Sequence, residues 1–479
     1  MGYNRVLFVI PRTFADYPGA LNPHLGIGYL IAVLEKNKIE TDVFDMQLGY
    51  SFEALLDKIK QFKPDILGVT MFSFNFIKTY ELINKLKNET NLPITLGGCH
   101  VSSYRKRVLE ATKADFAVFG EGELAMLELC QGKPLNKIYG LIYRSNNEII
   151  ENQARMLVQN LDSLPFPAYE RFELEKYSFY IDKRLPITTS RGCPYLCVYC
   201  SANLTVGRGF RARSPENVLA EIEHWYNIGF RSFEFVDDCY NFDIARAKKI
   251  CDLLIEKQKA GMKIEWRCGS GIRADRVDEE LLTKMKTAGC IFTSYGLETG
   301  SPEILKRIKK AITLKKAEEA FTLTKKVGIT FSVNFIIGHP DETYNKAMES
   351  INFAEYLADK IGVDYVNFHN MIPYPGTELY IYIKEHGRFL LPEETYLTEV
   401  ATKKEKPIFE TPEFTYKERI KALKKGFRLT RKTHLQCRLG KTFGLLVYQF
   451  ARFESTYFMG RKFVMSLSVG RRMFNLLKR

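Results

Sequence analysis

Arg191-Gly-Cys-Pro-Tyr-Leu-Cys-Val-Tyr-Cys200 carries three cysteines in a C-x3-C-x2-C spacing. Thiolates at Cys193, Cys197 and Cys200 are spaced to hold three irons of a [4Fe–4S] cube, which leaves the fourth iron open. A cube with four cysteine ligands suits electron transfer, whereas a vacant iron can bind and reduce a small molecule. Zinc is the competing metal, but a tetrahedral zinc takes four ligands, often as paired C-x2-C knuckles, and no second pair follows at a suitable distance. The other cysteines, Cys99, Cys130, Cys239, Cys251, Cys268, Cys290 and Cys437, are scattered and mostly flanked by apolar residues. They read as buried free thiols, not a disulfide framework, with none placed to serve as a fourth ligand.

Outward from this run, the chain reads as strands alternating with helices. The strands expected after it are Ile187–Ser190, Ser232–Val236, Ile264–Cys268, Phe292–Leu297, Thr330–Ile336 and Tyr365–His369, separated by amphipathic helical stretches. Six βα units predict an open, partial barrel shorter than the eight-unit form, with the cysteine run leaving its first strand at the carboxyl end, where such barrels place their chemistry. Before it, Arg5–Ile10, Thr41–Asp45, Asp65–Thr70, Ile94–Gly97 and Phe116–Phe119 read as five strands joined by helices. That pattern predicts a doubly wound parallel sheet of Rossmann type, whose ligands lie beyond the carboxyl ends of the strands. Those ends carry Pro11-Arg12, Thr70 to Ser73, Gly97-Gly-Cys-His100 and Gly120-Glu-Gly-Glu123.

A polar hairpin signal spans Leu141 to Ile150, and the two prolines in Leu161–Ala168 argue against regular structure there. The expected division is therefore a Rossmann-like domain over 1–150, a linker over 151–184, a partial (β/α)6 barrel over 185–385 and a basic helical region over 386–479. From Lys417 to the end there are seventeen Lys or Arg against two Glu, a net of +15 in a chain of net +14, so the excess belongs to the tail. Phe443, Val447 and Phe450 recur there at helical spacing among Arg452, Arg461, Lys462, Arg471 and Arg472. Such a segment suits peripheral contact with an anionic membrane, or else forms a helical cap on the barrel with a solvated basic face. No nucleic-acid recognition motif accompanies the charge. The start of the chain lacks a signal peptide's apolar stretch, and no run of about 18 apolar residues occurs, so a cytoplasmic protein is expected.

The small molecule taken by an open-iron cluster is usually S-adenosylmethionine, and several strand ends suit it. Glu298, in Tyr295-Gly-Leu-Glu-Thr-Gly-Ser301, can accept both ribose hydroxyl hydrogens, or simply cap a helix. Gly338, in Ile337-Gly-His-Pro-Asp-Glu342, would let backbone approach an adenine ring. Asp237, beside Asp238, suits the ammonium group or a helix cap, and Arg273 suits the carboxylate.

The cysteine spacing, Tyr199 before the last cysteine and the preceding Arg-Gly resemble the radical S-adenosylmethionine superfamily. Enzymes of that superfamily with an N-terminal cobalamin-binding domain resemble this chain from about residue 5 to 385. The shared features are Pro23 to Leu30, Leu96 to His100, Gly120 to Glu123, Leu161 to Phe166, the cysteine triad, Phe210-Arg-Ala-Arg-Ser-Pro-Glu-Asn-Val218, the Glu298 segment and Ile372-Pro-Tyr-Pro-Gly-Thr377. The resemblance implies that the triad binds the catalytic cluster, that Tyr199 and Glu298 help seat S-adenosylmethionine, and that the first domain holds cobalamin over the barrel mouth. Thr70, Ser73, Gly97, Gly98, His100, Gly120 and Gly122 are then the corrin contacts. One departure is the missing Asp-x-His-x-x-Gly signature, whose histidine ligates cobalt from below; many enzymes of this group lack it too. His24 and His100 are candidates for contacts near the corrin, although a histidine beside glycines is more often a loop hydrogen-bonder.

The activity implied is cleavage of S-adenosylmethionine to a 5′-deoxyadenosyl radical, with cobalamin delivering a methyl group to an unactivated carbon of a small hydrophobic substrate. A reductant such as flavodoxin or ferredoxin would supply the electron. Cobalamin-assisted cyclisation, oxidation or coupling on a tetrapyrrole or lipid is the alternative. An iron–sulfur binding or electron-transfer protein is the alternative of another class.

Overall fold

Val6 to Ile10 are buried without interruption, the pattern of a strand covered on both faces. In the computed structural model, which describes residues 2–12, 22–177, 184–399 and 406–451, this run is β1 (Arg5–Ile10). It lies in a parallel sheet with β2 (Glu40–Asp45), β3 (Ile66–Thr70), β4 (Ile94–Gly97) and β5 (Phe116–Val118), in the order β2-β1-β3-β4-β5. Side chains alternate between two cores: Val6, Phe8 and Ile10 enter one, and Leu7 and Val9 the other. The first core also holds Leu185 and Phe233 of the second sheet, so apolar packing is continuous between the two halves. Helices Leu25–Lys36, Phe52–Phe62, Phe76–Thr90 and Glu123–Cys130 lie in the connections. The polar hairpin extends the same sheet as β6 (Leu141–Ser145), antiparallel to β5, and β7 (Glu148–Glu151). The proline-rich stretch forms short 3₁₀ turns, and Ala168 N donates to Gly28 O at 3.0 Å where it crosses the first helix.

The second sheet starts earlier than expected. β8 is Arg184–Ile187, not Ile187–Ser190, and Ser190–Arg191 (β9) instead pairs antiparallel with Arg211–Ala212 (β10). The chain turns out of the sheet there because Thr189 and Ser190 hydrogen-bond the carboxylate of Asp237. The remaining strands are β11 (Ser232–Phe235), β12 (Glu265–Ile272), β13 (Cys290–Glu298), β14 (Thr330–Ile337) and β15 (Tyr365–Asn370). All run parallel in the order β8-β11-β12-β13-β14-β15, and β8 does not pair with β15, which makes an open six-stranded barrel.

The tail supplies the cap. Helix Tyr416–Leu439 opens on a capping box, Thr415 with Glu418. It buries Arg419, Ala422, Leu423, Gly426, Leu429 and Thr433 at helical spacing, while Lys417, Lys421, Lys424, Lys425 and Arg428 stay exposed. A Cβ on Gly426 would lie 2.6 Å from the Phe368 ring, so glycine sets how closely helix and strand approach. Among the described residues, β15 has an edge with no strand beside it. There Val366 N donates to Thr433 Oγ1 at 3.2 Å and Phe368 N to Thr430 Oγ1 at 3.0 Å. Phe443 and Leu446 are exposed on the following helix, Lys441–Ala451. Residues 452–479, with Arg452, Arg461, Lys462, Arg471 and Arg472, lie outside the described residues, as does the Phe450 side chain. No described helix is long and apolar enough to cross a membrane.

Thr433→Val keeps side-chain shape and removes the acceptor for Val366 N. A loss of about 1–3 kcal/mol in stability is expected, read from urea unfolding, with faster amide hydrogen exchange at Val366 than at Ser332 in the sheet interior.

Candidate active site

The cysteine loop is fixed before any thiol is considered. Asp237, at the end of β11, accepts from Thr189 N at 2.6 Å and Ser190 Oγ at 2.8 Å, and Asp238 accepts from Gly192 N at 3.0 Å. Gly192 has φ +86°, and a side chain there would collide with Gly209 O, which explains the Arg-Gly pair of the motif. Arg191 reaches back into the first sheet, pairing with Glu121 at 3.0 Å and Glu123 at 2.7 Å, while Arg211 pairs with Glu121 at 2.9 Å. These four side chains are only 5 to 11% exposed. Val158 N and Arg211 Nη1, donating to Glu121 Oε2 and Val158 O, tie in the linker. Arg213 forms a second buried pair with Glu221 and donates to Thr188 O. The Gly120–Glu123 and Arg211–Arg213 motifs therefore brace the loop.

Cys193 and Cys197 are half-buried and Cys200 is exposed. Desolvation and then the charges of Cys197 and Cys193 raise the Cys200 thiol, so the three share one electrostatic field. Among the described residues no three His, Cys, Asp or Glu side chains converge on one metal point, as a single zinc would need; a cube takes each thiolate on a separate iron. The expectation that no fourth thiol lies nearby is corrected: Cys239, buried just after β11, hydrogen-bonds Cys193 and lowers its pKa, against burial. Cys99 and Cys437 are exposed rather than buried.

Of the residues expected to seat S-adenosylmethionine, Tyr199 and Glu298 come together. Glu298 holds left-handed backbone at the end of β13 (φ 77°) and folds back over Gly296. Its Oε1 accepts from Lys310 Nζ at 2.8 Å, and Lys310 Nζ lies 3.4 Å from Tyr199 Oη. Burial would raise the Glu298 carboxyl, but the Lys310 ammonium holds it below the usual range. Lys310 stays charged for the reciprocal reason, burial being outweighed by Glu298. Three expected contacts are placed otherwise. Asp237 is 2% exposed and engaged by Thr189 and Ser190. Arg273 is held by Asp275 and by the carbonyls of Lys310 and Ala311, and stacks on Tyr195 at 3.5 Å. Gly338 is buried, and the space a side chain would take is filled by Arg419 Nη1, 2.6 Å from the Cβ position.

A cavity of about 360 Å³ lies between the carboxyl ends of the first sheet and the barrel mouth. From one side it is lined by His24, Thr70, Phe72, Gly97, Gly98, Cys99, Gly120 and Gly122, and from the other by Arg191, Thr205, Val206 and Asp238. Ser73 and His100 are not in its lining. His100 turns into the domain core, hydrogen-bonded to Ser73 Oγ at 3.1 Å and Tyr80 Oη at 2.8 Å and stacked between Phe76 and Tyr104. His24 Nδ1 accepts from Ile27 N at 3.2 Å, so in the neutral ring the proton sits on Nε2, which faces Thr70 Oγ1 at 3.3 Å. Burial lowers His24 to about 4 and His100 to about 3, keeping both neutral.

Sequence reasoning missed Lys310, which ends a basic run, Lys306 to Lys310, that reads as a solvated face. Nor did it reveal the Glu121–Arg211 pairing, whose only sign is an Arg and Glu content unusual for buried segments.

The model of the radical SAM superfamily matches residues 187–354, and that of the B12 binding domain matches residues 12–130. An uncharacterised methyltransferase of Pyrococcus horikoshii is 31% identical over 434 residues, covering 88% of this chain and 91% of that one. The anaerobic magnesium-protoporphyrin IX monomethyl ester cyclase of Rubrivivax gelatinosus is 29% identical over 399 residues, 78% of this chain and 69% of that one. The radical S-adenosylmethionine methyltransferase TsrM of Kitasatospora setae, solved with cobalamin and a [4Fe–4S] cluster, shares the fold. The TM-score is 0.68 at 20% identity, over 80% of this chain and 75% of that one.

Arg211→Met leaves Glu121 partly unpaired in a desolvated network. An unfolding free energy lower by about 3–5 kcal/mol is expected, with faster proteolysis in the 161–168 stretch as the halves separate.

Proposed function

Because the chain belongs to the radical SAM superfamily and joins that barrel to a B12-binding domain, we propose that it is a cobalamin-dependent radical SAM methyltransferase acting on an unactivated carbon of a small hydrophobic molecule. The observation that carries this reading is a cavity of about 360 Å³ lined by both halves, glycine strand ends facing the cysteine-bearing mouth. When bound, the cluster and S-adenosylmethionine supply one-electron chemistry for hydrogen abstraction, and cobalamin supplies a methyl group.

The chain's own residues fit these groups. Cys193, Cys197 and Cys200 would hold the cluster, and Tyr199 and Glu298 would seat S-adenosylmethionine, the carboxylate accepting ribose hydroxyl hydrogens. A Cβ on Gly97 would meet nothing within 4 Å, so the cavity has room at that strand end for a flat ligand to approach the backbone. Thr70, Gly98, Gly120 and Gly122 line the same wall. The imidazoles of His24 and His100 are both engaged within the domain, His24 by Ile27 N and Thr70 and His100 by Ser73 and Tyr80. Phe72, Leu96, Val118 and Met126 make the lining largely apolar and exclude water. Electrons would come from a flavodoxin- or ferredoxin-type reductant. Likeness to the cyclase supports a second reading, ring formation on a tetrapyrrole. The products of an anaerobic reaction on a hydrophobic extract separate the two: a net gain of CH2, methyl replacing hydrogen, marks transfer, and loss of two hydrogens marks cyclisation.

Cys197→Ala is expected to lose the cluster's visible absorption and Mössbauer signal, together with 5′-deoxyadenosine formation, whereas Cys251→Ala, at a thiol buried against Tyr240, keeps all three. Full cluster retention in Cys197→Ala would remove the triad from this role. Gly97→Val is expected to lower cobalamin affinity by about tenfold or more at unchanged melting temperature, since the new methyls enter open space. Gly98→Val is different, because its Cβ would lie 2.6 Å from Met71 O at φ +101° and would damage the fold itself. The cob(II)alamin spectrum of the wild type should lack histidine nitrogen coupling.

A further inference from the structure

The tail helix Tyr416–Leu439 turns Lys417, Lys421, Lys424 and Lys425 to solvent but buries one arginine, Arg419, at 2% exposure. A buried guanidinium is costly, and where a helix has only to be docked, an apolar side chain of similar volume serves as well or better. Docking is already supplied by Gly426 against Phe368 and by Thr430 and Thr433 on β15. Arg419 touches something else. Its Nε donates to Phe414 O at 2.9 Å, and its guanidinium stacks on Phe409 at 4.2 Å and Phe414 at 4.8 Å. That posture sets Nη1 against Gly338, in the turn that follows β14, where the backbone has φ +115°.

The same turn is held by Glu342, fully buried, whose Oε2 accepts from Gly338 N at 2.6 Å and His339 N at 3.1 Å. Burial raises that carboxyl to about 7, against the Gly338 amide, the Arg419 charge and the His339 amide. The turn in its own right holds the site wall. His339 Nε2 donates to Glu298 O at 3.2 Å, and its ring stands edge-on to Tyr199 with centroids 6.0 Å apart. Glu298 needs such support, because a non-glycine residue at φ 77° persists only where its surroundings over-determine it. We propose that Arg419 is a positioning residue of the cofactor site: it clamps the Gly338–Glu342 turn, and the turn, through His339, fixes the backbone of Glu298 and the ring of Tyr199. The tail helix is then part of the site as well as a cap on the barrel, and it enters from beyond both matched segments, 187–354 and 12–130. This inference rests on the reading of Tyr199 and Glu298 as the seat of S-adenosylmethionine.

The test is equilibrium binding of S-adenosylmethionine to the full chain carrying its cluster. Arg419→Met is expected to weaken binding by about tenfold or more, with faster amide hydrogen exchange at Gly338 and His339, and Arg419→Lys, which keeps a cation over the turn, to bind more tightly than Arg419→Met. Thr433→Val loosens the same helix at the β15 edge without touching the turn, and is expected to leave affinity within about twofold of the wild type. Wild-type affinity in Arg419→Met overturns the proposal. So does equal weakening in Thr433→Val, which would mark a general loosening of the tail. Should Arg419→Met fail to fold with Glu342 stranded, the double variant with Glu342→Gln removes both charges together and is read in the same way. A wild type that does not bind S-adenosylmethionine sinks the cofactor reading and this inference with it; a binding wild type with an indifferent Arg419→Met sinks the arginine alone.

Discussion

The arginine that precedes the cysteine loop is buried, and a buried guanidinium must find its counter-charges within the fold. Arg191 finds them in Glu121 and Glu123 of the other domain, with Arg211 completing a neutral set. The position of the triad relative to the first sheet follows from that requirement. Moving the barrel mouth away would strand charges in a region of low dielectric, where each unpaired ion is expensive. The same network explains why two short motifs far apart in sequence, Gly120–Glu123 and Arg211–Arg213, belong to one device: they fix geometry without touching a reacting atom.

A polar ladder runs through the barrel interior. Ser294 and Ser332 hydroxyls meet at 2.7 Å, Asn334 donates to Ser294 at 2.7 Å, Asn367 donates to Asn334 at 3.0 Å, and His434 of the tail helix reaches Asn367 at 2.7 Å. The first three rungs join neighbouring strands and the last joins the tail helix to β15, so the wall from β13 to β15 is held by directional bonds as well as by packing. The tail helix is therefore continuous with the site-bearing barrel, both through this ladder and through Arg419, which abuts the Gly338 turn.

Periodicity made the strands legible, since buried parallel strands are continuous apolar runs, and spacing made the triad legible, since a cluster constrains its ligands along the chain. What failed was side-chain direction. Asp237, Arg273 and His100 all stand at strand ends, as expected, but residue type at a strand end does not say whether a group faces the ligand or the wall. Asp237 had two hydroxyls and an amide within reach, and His100 had two aromatic faces to stack between, so each satisfied itself inside the protein. Lys310 failed in the opposite sense: its basic neighbours disguised a buried charge as a solvated one. The displaced start of the first barrel strand came from the same source, because only the folded chain shows that Asp237 draws Thr189 and Ser190 out of line.

The threonines on the tail helix have a consequence for how this molecule behaves in company. An open barrel ends in a strand whose amides would otherwise invite a strand from another chain, the route by which sheet proteins stick to one another and template fibres. Thr430 and Thr433 stand one helical turn apart, matched to alternate amides of β15, and so occupy the positions a foreign strand would need. The helix terminates this edge of the sheet with side chains instead of backbone, and a crowded solution of this protein is thereby denied one edge at which another chain's strand could add.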